Sequence, residues 1–136
     1  MRRTLLAAFV TACATACGRE ESPVTPPIVD WIDAVVVSGK VVDQHGTALP
    51  SALVGLKFYR GGCAGAIYSG HNTTTDQTGA YRGPIYFLGD ITGCITVVAS
   101  VSNGGVRFQD SVRVNPVAFV FDEVQDSLTV DVVIRR

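Results

Sequence analysis

Short apolar segments with a period of two, turn residues between them, and no helical period in any dozen-residue window after the first sixteen residues together predict an all-β chain. The expected form is a single immunoglobulin-like β-sandwich of about seven strands. Val35 opens the β pattern. Ala52, Val54, Leu56 and Phe58 alternate with Leu53, Gly55, Lys57 and Tyr59. Ile95, Val97, Ala99 and Val101 alternate with Thr96, Val98 and Ser100, and Leu128, Val130, Val132 and Ile134 alternate with Thr129, Asp131 and Val133. Such alternation marks strands with one face on a core. Val106, Phe108, Val112 and Val114 share a parity that Asp110 interrupts, so a bulge or a sheet edge is expected there. Asp43-Gln44-His45-Gly46, Asp76-Gln77-Thr78-Gly79 and Asn103-Gly104-Gly105 supply residues able to take positive φ at the turns.

The 136 residues allow one compact domain, and 47% apolar against 17% charged residues is a core-forming composition. The formal net charge is −1; without Arg2 and Arg3 it becomes about −3. There is no basic stripe of the kind a phosphate backbone needs, so nucleic acid is excluded as the expected partner.

Residues 1–16 have the order of an export signal. Met1-Arg2-Arg3-Thr4 is positive, and Leu5 to Ala16 is apolar or small and too short to span a bilayer. Ala14-Thr15-Ala16-Cys17-Gly18 resembles the lipobox of bacterial lipoproteins, whose cysteine is acylated and becomes the first mature residue. Ala14 stands where that box usually has Leu, and Val10-Thr11-Ala12-Cys13 is a rival. A plain secretory signal with incidental cysteines is the further alternative. Cysteine parity favours Cys17, because cleavage there leaves Cys63 and Cys94 as a clean pair. Export makes a Cys63–Cys94 disulfide permissible, and the outward parity of Cys94 suggests a clasp at the rim. Gly18 is not the aspartate that retains lipoproteins at the inner membrane, so the expected location is the cell envelope, lipid-anchored at the outer membrane. Residues 17–34 read as lipidated cysteine and proline-rich tether, with Trp31 in an ambiguous stretch, and residues 35–136 as the domain.

Two segments carry a family resemblance. Val37 to Val54 holds a strand with a glycine, an Asp43-Gln44-His45-Gly46 turn and a Leu49-Pro50-Ser51-Ala52 step. Thr73-Thr74-Thr75-Asp76-Gln77-Thr78-Gly79-Ala80-Tyr81 follows at the right distance. In this order they resemble the carboxypeptidase regulatory-like domain, a transthyretin-like β-sandwich, over about residues 35–102. The resemblance implies an accessory module with no reaction of its own. By their chemistry Asp43, Gly46, Asp76 and Gly79 build turns, and Tyr81 buries its ring and returns its hydroxyl to the backbone.

Catalytic and metal constellations are thin. Ser69, His71 and Asp76 crowd into one expected loop without an oxyanion feature. Tyr81-Arg82-Gly83-Pro84 is similar to the ending of transthyretin-related hydroxyisourate hydrolases, but it is mid-chain and Pro84 replaces the serine. Asp122, Glu123 and Asp126 are oxygen ligands without a known calcium spacing. No cofactor or metal is expected. Pro116 to Phe121 is a continuous apolar run. It reads as a strand buried on both faces or a cover over one end, or, with Phe119 and Phe121 exposed, as a ligand platform. Tyr59, Tyr68 and Tyr86 are further candidates for stacking on sugars. The expectation is a non-catalytic surface lipoprotein that binds a protein or glycan; the alternatives are an accessory module of a separate enzyme subunit and a hydrolase in its own right.

Overall fold

The computed structural model describes residues 32–120 and 127–136, and every regular element in them is a strand. In chain order these are β1 (Ile32–Asp43), β2 (Leu53–Arg60), β3 (Ile67–Thr74), β4 (Ala80–Leu88), β5 (Ile91–Asn103), β6 (Val106–Phe119), β7 (Ser127–Thr129) and β8 (Val132–Ile134). They form two four-stranded sheets. One has the order β4-β1-β7 with β8 also paired to β1; the other is β3-β2-β5-β6. The described residues form a β-sandwich of eight strands.

Alternation delivers the core. Val54, Leu56 and Phe58 of β2 and Ile95, Val97 and Ala99 of β5 are buried against Val35, Val37, Val41, Ile85 and Phe87 of the facing sheet. Burying such a side chain is worth about 1.5–3 kcal/mol. Phe119 closes one end of this core. Its ring lies 5.2 Å from that of Phe58 and is stacked 5.0 Å from that of Phe87. Phe119 is therefore no ligand platform, and Phe121 lies outside the described residues. The run from Pro116 is not buried on both faces either: Pro116 and Ala118 are exposed on an edge strand, while Phe119 points inward.

Other expectations need correcting. β1 begins at Ile32, which pairs with Leu88, so residues 32–34 belong to the sheet and not to the tether. Ser69 and His71 sit on β3, not in a loop. β3 is an edge strand whose mixed residues are mostly half-exposed, so it shows no apolar alternation. At Asp110 the sheet edge, one of the two expected forms, is what stands: β6 is an edge strand with regular pairing there, and the irregularity in its pairing with β5 falls between Gly93 and Ile95. An inward-parity charge on an edge discourages further pairing. The two sheets meet along β3 and β4, where side chains seal the gap. The Ser69 hydroxyl accepts from the Tyr86 N–H at 3.2 Å and the Tyr68 hydroxyl from the Leu88 N–H at 3.3 Å. Pro84 of the same strand has no N–H to satisfy.

The last strand is also broken. Val36–Ser38 pair in parallel with β7 and Val41–Asp43 with β8, leaving Val130 and Asp131 at the junction. Gly39 makes the junction possible: a Cβ there would lie 1.9 Å from the Val130 carbonyl oxygen. The Tyr81 hydroxyl donates to that carbonyl, Val130 N–H donates to Ser38 at 2.8 Å, and the Asp131 carboxylate accepts from Lys40 N–H at 2.7 Å. Every buried side-chain nitrogen and oxygen among the described residues has a partner.

Gly39→Ala should therefore destabilise by more than about 4 kcal/mol, in the exceptional range for a single methyl. Tyr81→Phe should cost about 1–3 kcal/mol, because it orphans the buried Val130 carbonyl. Urea unfolding of both variants checks this; a Gly39→Ala protein as stable as the parent would contradict the close approach.

Candidate functional site

Along β2, residues 53, 55, 57 and 59 have the parity that points away from the core. Cross-strand pairing extends them into rows over the outer face of the β3-β2-β5-β6 sheet. One row is Thr74, Leu53, Ser100, Gln109; the next is Asn72, Gly55, Val98, Ser111; the third is Gly70, Lys57, Thr96, Arg113. Gly55 leaves a gap in the middle row, and an open groove of about 440 Å³ lies there, bordered by Leu53, Lys57, Asn72, Ser100, Arg107 and Gln109. The Arg107 guanidinium is tied to the Ser100 hydroxyl at 3.0 Å, which holds a cation at the groove's rim. A Cβ on Gly55 would meet nothing nearer than Asn72 Oδ1 at 3.4 Å, so the glycine is not imposed by packing. Lys57, Asn72, Arg107 and Gln109 were not singled out from sequence. The signal available was the glycine at an outward position of a strand, flanked by polar residues on strands distant in the chain.

The disulfide joins Cys63 and Cys94, with Cα atoms 5.0 Å apart. Cys94 has outward parity, yet it is fully buried, since the glycine loop carrying Cys63 lies over it. Gly93 beside it admits no side chain: a Cβ would fall 2.0 Å from the Tyr59 carbonyl oxygen. The bond is thus a covered clasp on the outer face.

The two turns are built by their aspartates. Asp43 Oδ1 accepts from the N–H groups of His45 and Thr47, both at 2.9 Å, with Gly46 at φ 80°. Asp76 Oδ1 accepts from Thr78 N–H at 2.8 Å, Thr78 hydroxyl at 2.7 Å and Ala80 N–H at 3.0 Å. Gly79 has φ 74°, and a Cβ would also lie 2.7 Å from the Val41 carbonyl oxygen. Thr75 ties the two sequence motifs together: its buried hydroxyl donates to Leu49 at 2.6 Å and accepts from Ala52 N–H at 2.9 Å. Backbone hydrogen bonds, first from Thr47, hold the Asp43 carboxyl below the ordinary 3.8, aided by the Arg136 guanidinium at 3.3 Å. The Thr78 hydroxyl, then the backbone donors, lower Asp76 likewise. Burial, with Asp131 nearby, pushes the Tyr81 phenol up, so it stays a donor.

No triad assembles from Ser69, His71 and Asp76. Ser69 caps the Tyr86 N–H, the His71 ring packs where a Gly83 side chain would stand, and Asp76 is spent on its own turn. Among the described residues no three His, Cys, Asp or Glu side chains gather to hold a metal ion; Asp122, Glu123 and Asp126 lie outside them, as does Cys17. The ring of Tyr68 packs edge-on against Phe58, whereas Tyr86 is exposed.

No family model matches the chain, and no curated protein matches it. Among solved structures it is similar to a chlorocatechol 1,2-dioxygenase from Pseudomonas putida at 15% identity and a TM-score of 0.48; the alignment covers 80% of this chain and 63% of the dioxygenase. It is also similar to an alternative pilotin from the type II secretion system of Vibrio cholerae, at 16% identity and a TM-score of 0.40, covering 76% of this chain and 96% of the pilotin. Neither likeness bears on what this chain binds.

Loss of the Cys63–Cys94 bond, which closes a separation of 31 residues, should cost about 3–4 kcal/mol through unfolded-state entropy. Thermal melting with and without reductant measures it, and an unchanged Tm would remove the stabilising role. For Asp43 and Asp76 the folded carboxyls titrate below their unfolded values, so the unfolded chain takes up protons first on acidification. Their stabilisation is whole above about pH 5 and is lost as pH falls through the folded values. Asp43→Asn/Asp76→Asn should flatten the acid limb of stability; a slope equal to the parent's would show that other carboxyls set it.

Proposed function

We propose that this chain is an exported, non-catalytic lipoprotein of the cell envelope. Cys17 carries the anchor, and the outer face of the β3-β2-β5-β6 sheet receives a protein or glycan. The observation that carries the reading is the groove over Gly55, where a strand position that packing leaves open to a side chain is instead vacant, with Lys57, Asn72, Arg107 and Gln109 set beside the apolar Leu53 and Val98. Ligand sites combine such concavity with a few converging polar groups. The resemblance of residues 35–102 to carboxypeptidase regulatory-like domains supports an accessory role. A polar, proline-rich sequence such as the one after Cys17 suits a spacer: ten residues in an extended conformation would span about 30 Å, enough to lift a sandwich clear of lipid headgroups. Several acyl chains, at about 0.8 kcal/mol per buried methylene, hold such a protein firmly.

Intact-mass analysis of the membrane-purified protein should find acylated Cys17 at the mature N-terminus; a soluble product, or one starting at Cys13, would refute the anchor as assigned. Glycan and peptide screens with the same protein should return a ligand whose binding is lost in Gly55→Val. Turnover of a substrate by the purified chain would refute the non-catalytic reading.

A further inference from the structure

The outer face of the β3-β2-β5-β6 sheet is charged with one sign. Lys57 and Arg113 share a cross-strand row, and Arg107 reaches to Ser100, two rows away. None of the three rows contains an aspartate or glutamate. This happens on a chain with 12 acidic and 11 basic residues, so the segregation is not a by-product of a basic composition. Among the described residues, Asp43 and Asp76 lie inside turns, Asp131 is on the Lys40 N–H, Asp110 is at inward parity on β6, and Asp33 and Asp90 lie outside these rows.

We infer that this face binds an acidic polysaccharide, a polymer of carboxylate-bearing sugars, which rests on the proposed binding role and names its ligand. Arg107 and Arg113 are six residues apart on one strand, about 20 Å, and Lys57 is two strands from Arg113, about 10 Å. Measured between Cα positions, these spacings keep a single small anion from touching all three cations at once, whereas an extended polyanion meets them in turn. Arg107 is oriented by its bond to Ser100, which leaves other N–H groups of its fork for a carboxylate. Lys57 stands across the groove as a point charge. Between them Asn72 and Gln109 offer amide partners suited to sugar hydroxyls, and the gap at Gly55 has room for a ring. A protein partner would want a central aromatic anchor, and no aromatic side chain borders this groove; its outward-parity apolar lining is Leu53 and Val98 at one side of the cations. A membrane surface would want a flat or convex face with inserting aromatics.

The test uses the membrane-purified protein in detergent, with polygalacturonate as probe and with dextran, poly-glutamate and phosphatidylglycerol vesicles alongside. Polygalacturonate should bind best, more weakly as salt rises. Lys57→Glu and Arg107→Glu should each lower its affinity about tenfold or more, as loss of a charge-assisted contact does. Both are surface changes that should leave the Tm within a few degrees of the parent. Gly55→Val, which fills the groove, should abolish binding. Equal binding of dextran, preference for poly-glutamate or vesicles, or undiminished affinity in the two charge reversals would overturn the inference. A neutral glycan or a peptide that binds and is lost in Gly55→Val would overturn it while leaving the proposed function standing. No ligand in any screen that responds to Gly55→Val would overturn both.

Discussion

Three stretches far apart in the chain meet where the Val130 carbonyl sits against Gly39 under the Tyr81 hydroxyl. The peptide group at that point belongs to neither β7 nor β8, so it has no ladder partner for its oxygen, and the tyrosine supplies one. The neighbouring Lys40 N–H would also be orphaned by the break, and Asp131 accepts from it. With those groups satisfied, the C-terminal segment can run along β1 twice and deliver Val130, Val132 and Ile134 to the core. Losing the close approach would withdraw three buried side chains and expose one side of β1. A methyl group at Gly39 is thus incompatible with the packing of a segment some ninety residues later, an unusually direct link between a local residue choice and a global contact.

The same economy explains why one sheet face is left uncovered by the rest of the described chain. The inward residues of β2 and β5 are consumed by the core, and the inner gap between β3 and β4 is closed by the Ser69 and Tyr68 hydroxyls. On the outer side, β5 is covered at one end by the disulfide loop over Cys94 and borders the groove through Val98 and Ser100. A rigid sheet of four strands holds the bordering side chains in register. A ligand meeting them therefore pays little ordering entropy, which is how a modest set of polar contacts can amount to useful affinity.

Much of the fold was legible because its rules are local. The aspartate–glycine turns at 43–46 and 76–79 follow from side-chain acceptors two and four residues from their donors and from glycine's tolerance of positive φ. β2, β5 and the C-terminal segment announced themselves by strict alternation. The pairing of Cys63 with Cys94 followed from counting. β3 was illegible, since an edge strand with both faces partly wet has no apolar period to read. Phe119 stayed open between core cover and ligand platform for the converse reason: inside a continuous apolar run, nothing local tells which ring turns inward, and here Phe58 and Phe87 decide it.

What the sequence determined by itself was an all-β sandwich, its turns, most of its core positions and the Cys63–Cys94 disulfide, because period, turn chemistry and cysteine parity act within a few residues or by elimination. What tertiary structure alone decided was where the C-terminal strand breaks, which of the apolar aromatics is core, and which polar residues share a surface. Lys57, Asn72 and Arg107 come from three different strands. They become neighbours through sheet order and register, which long-range pairing and burial select jointly and which no local stretch of the chain encodes.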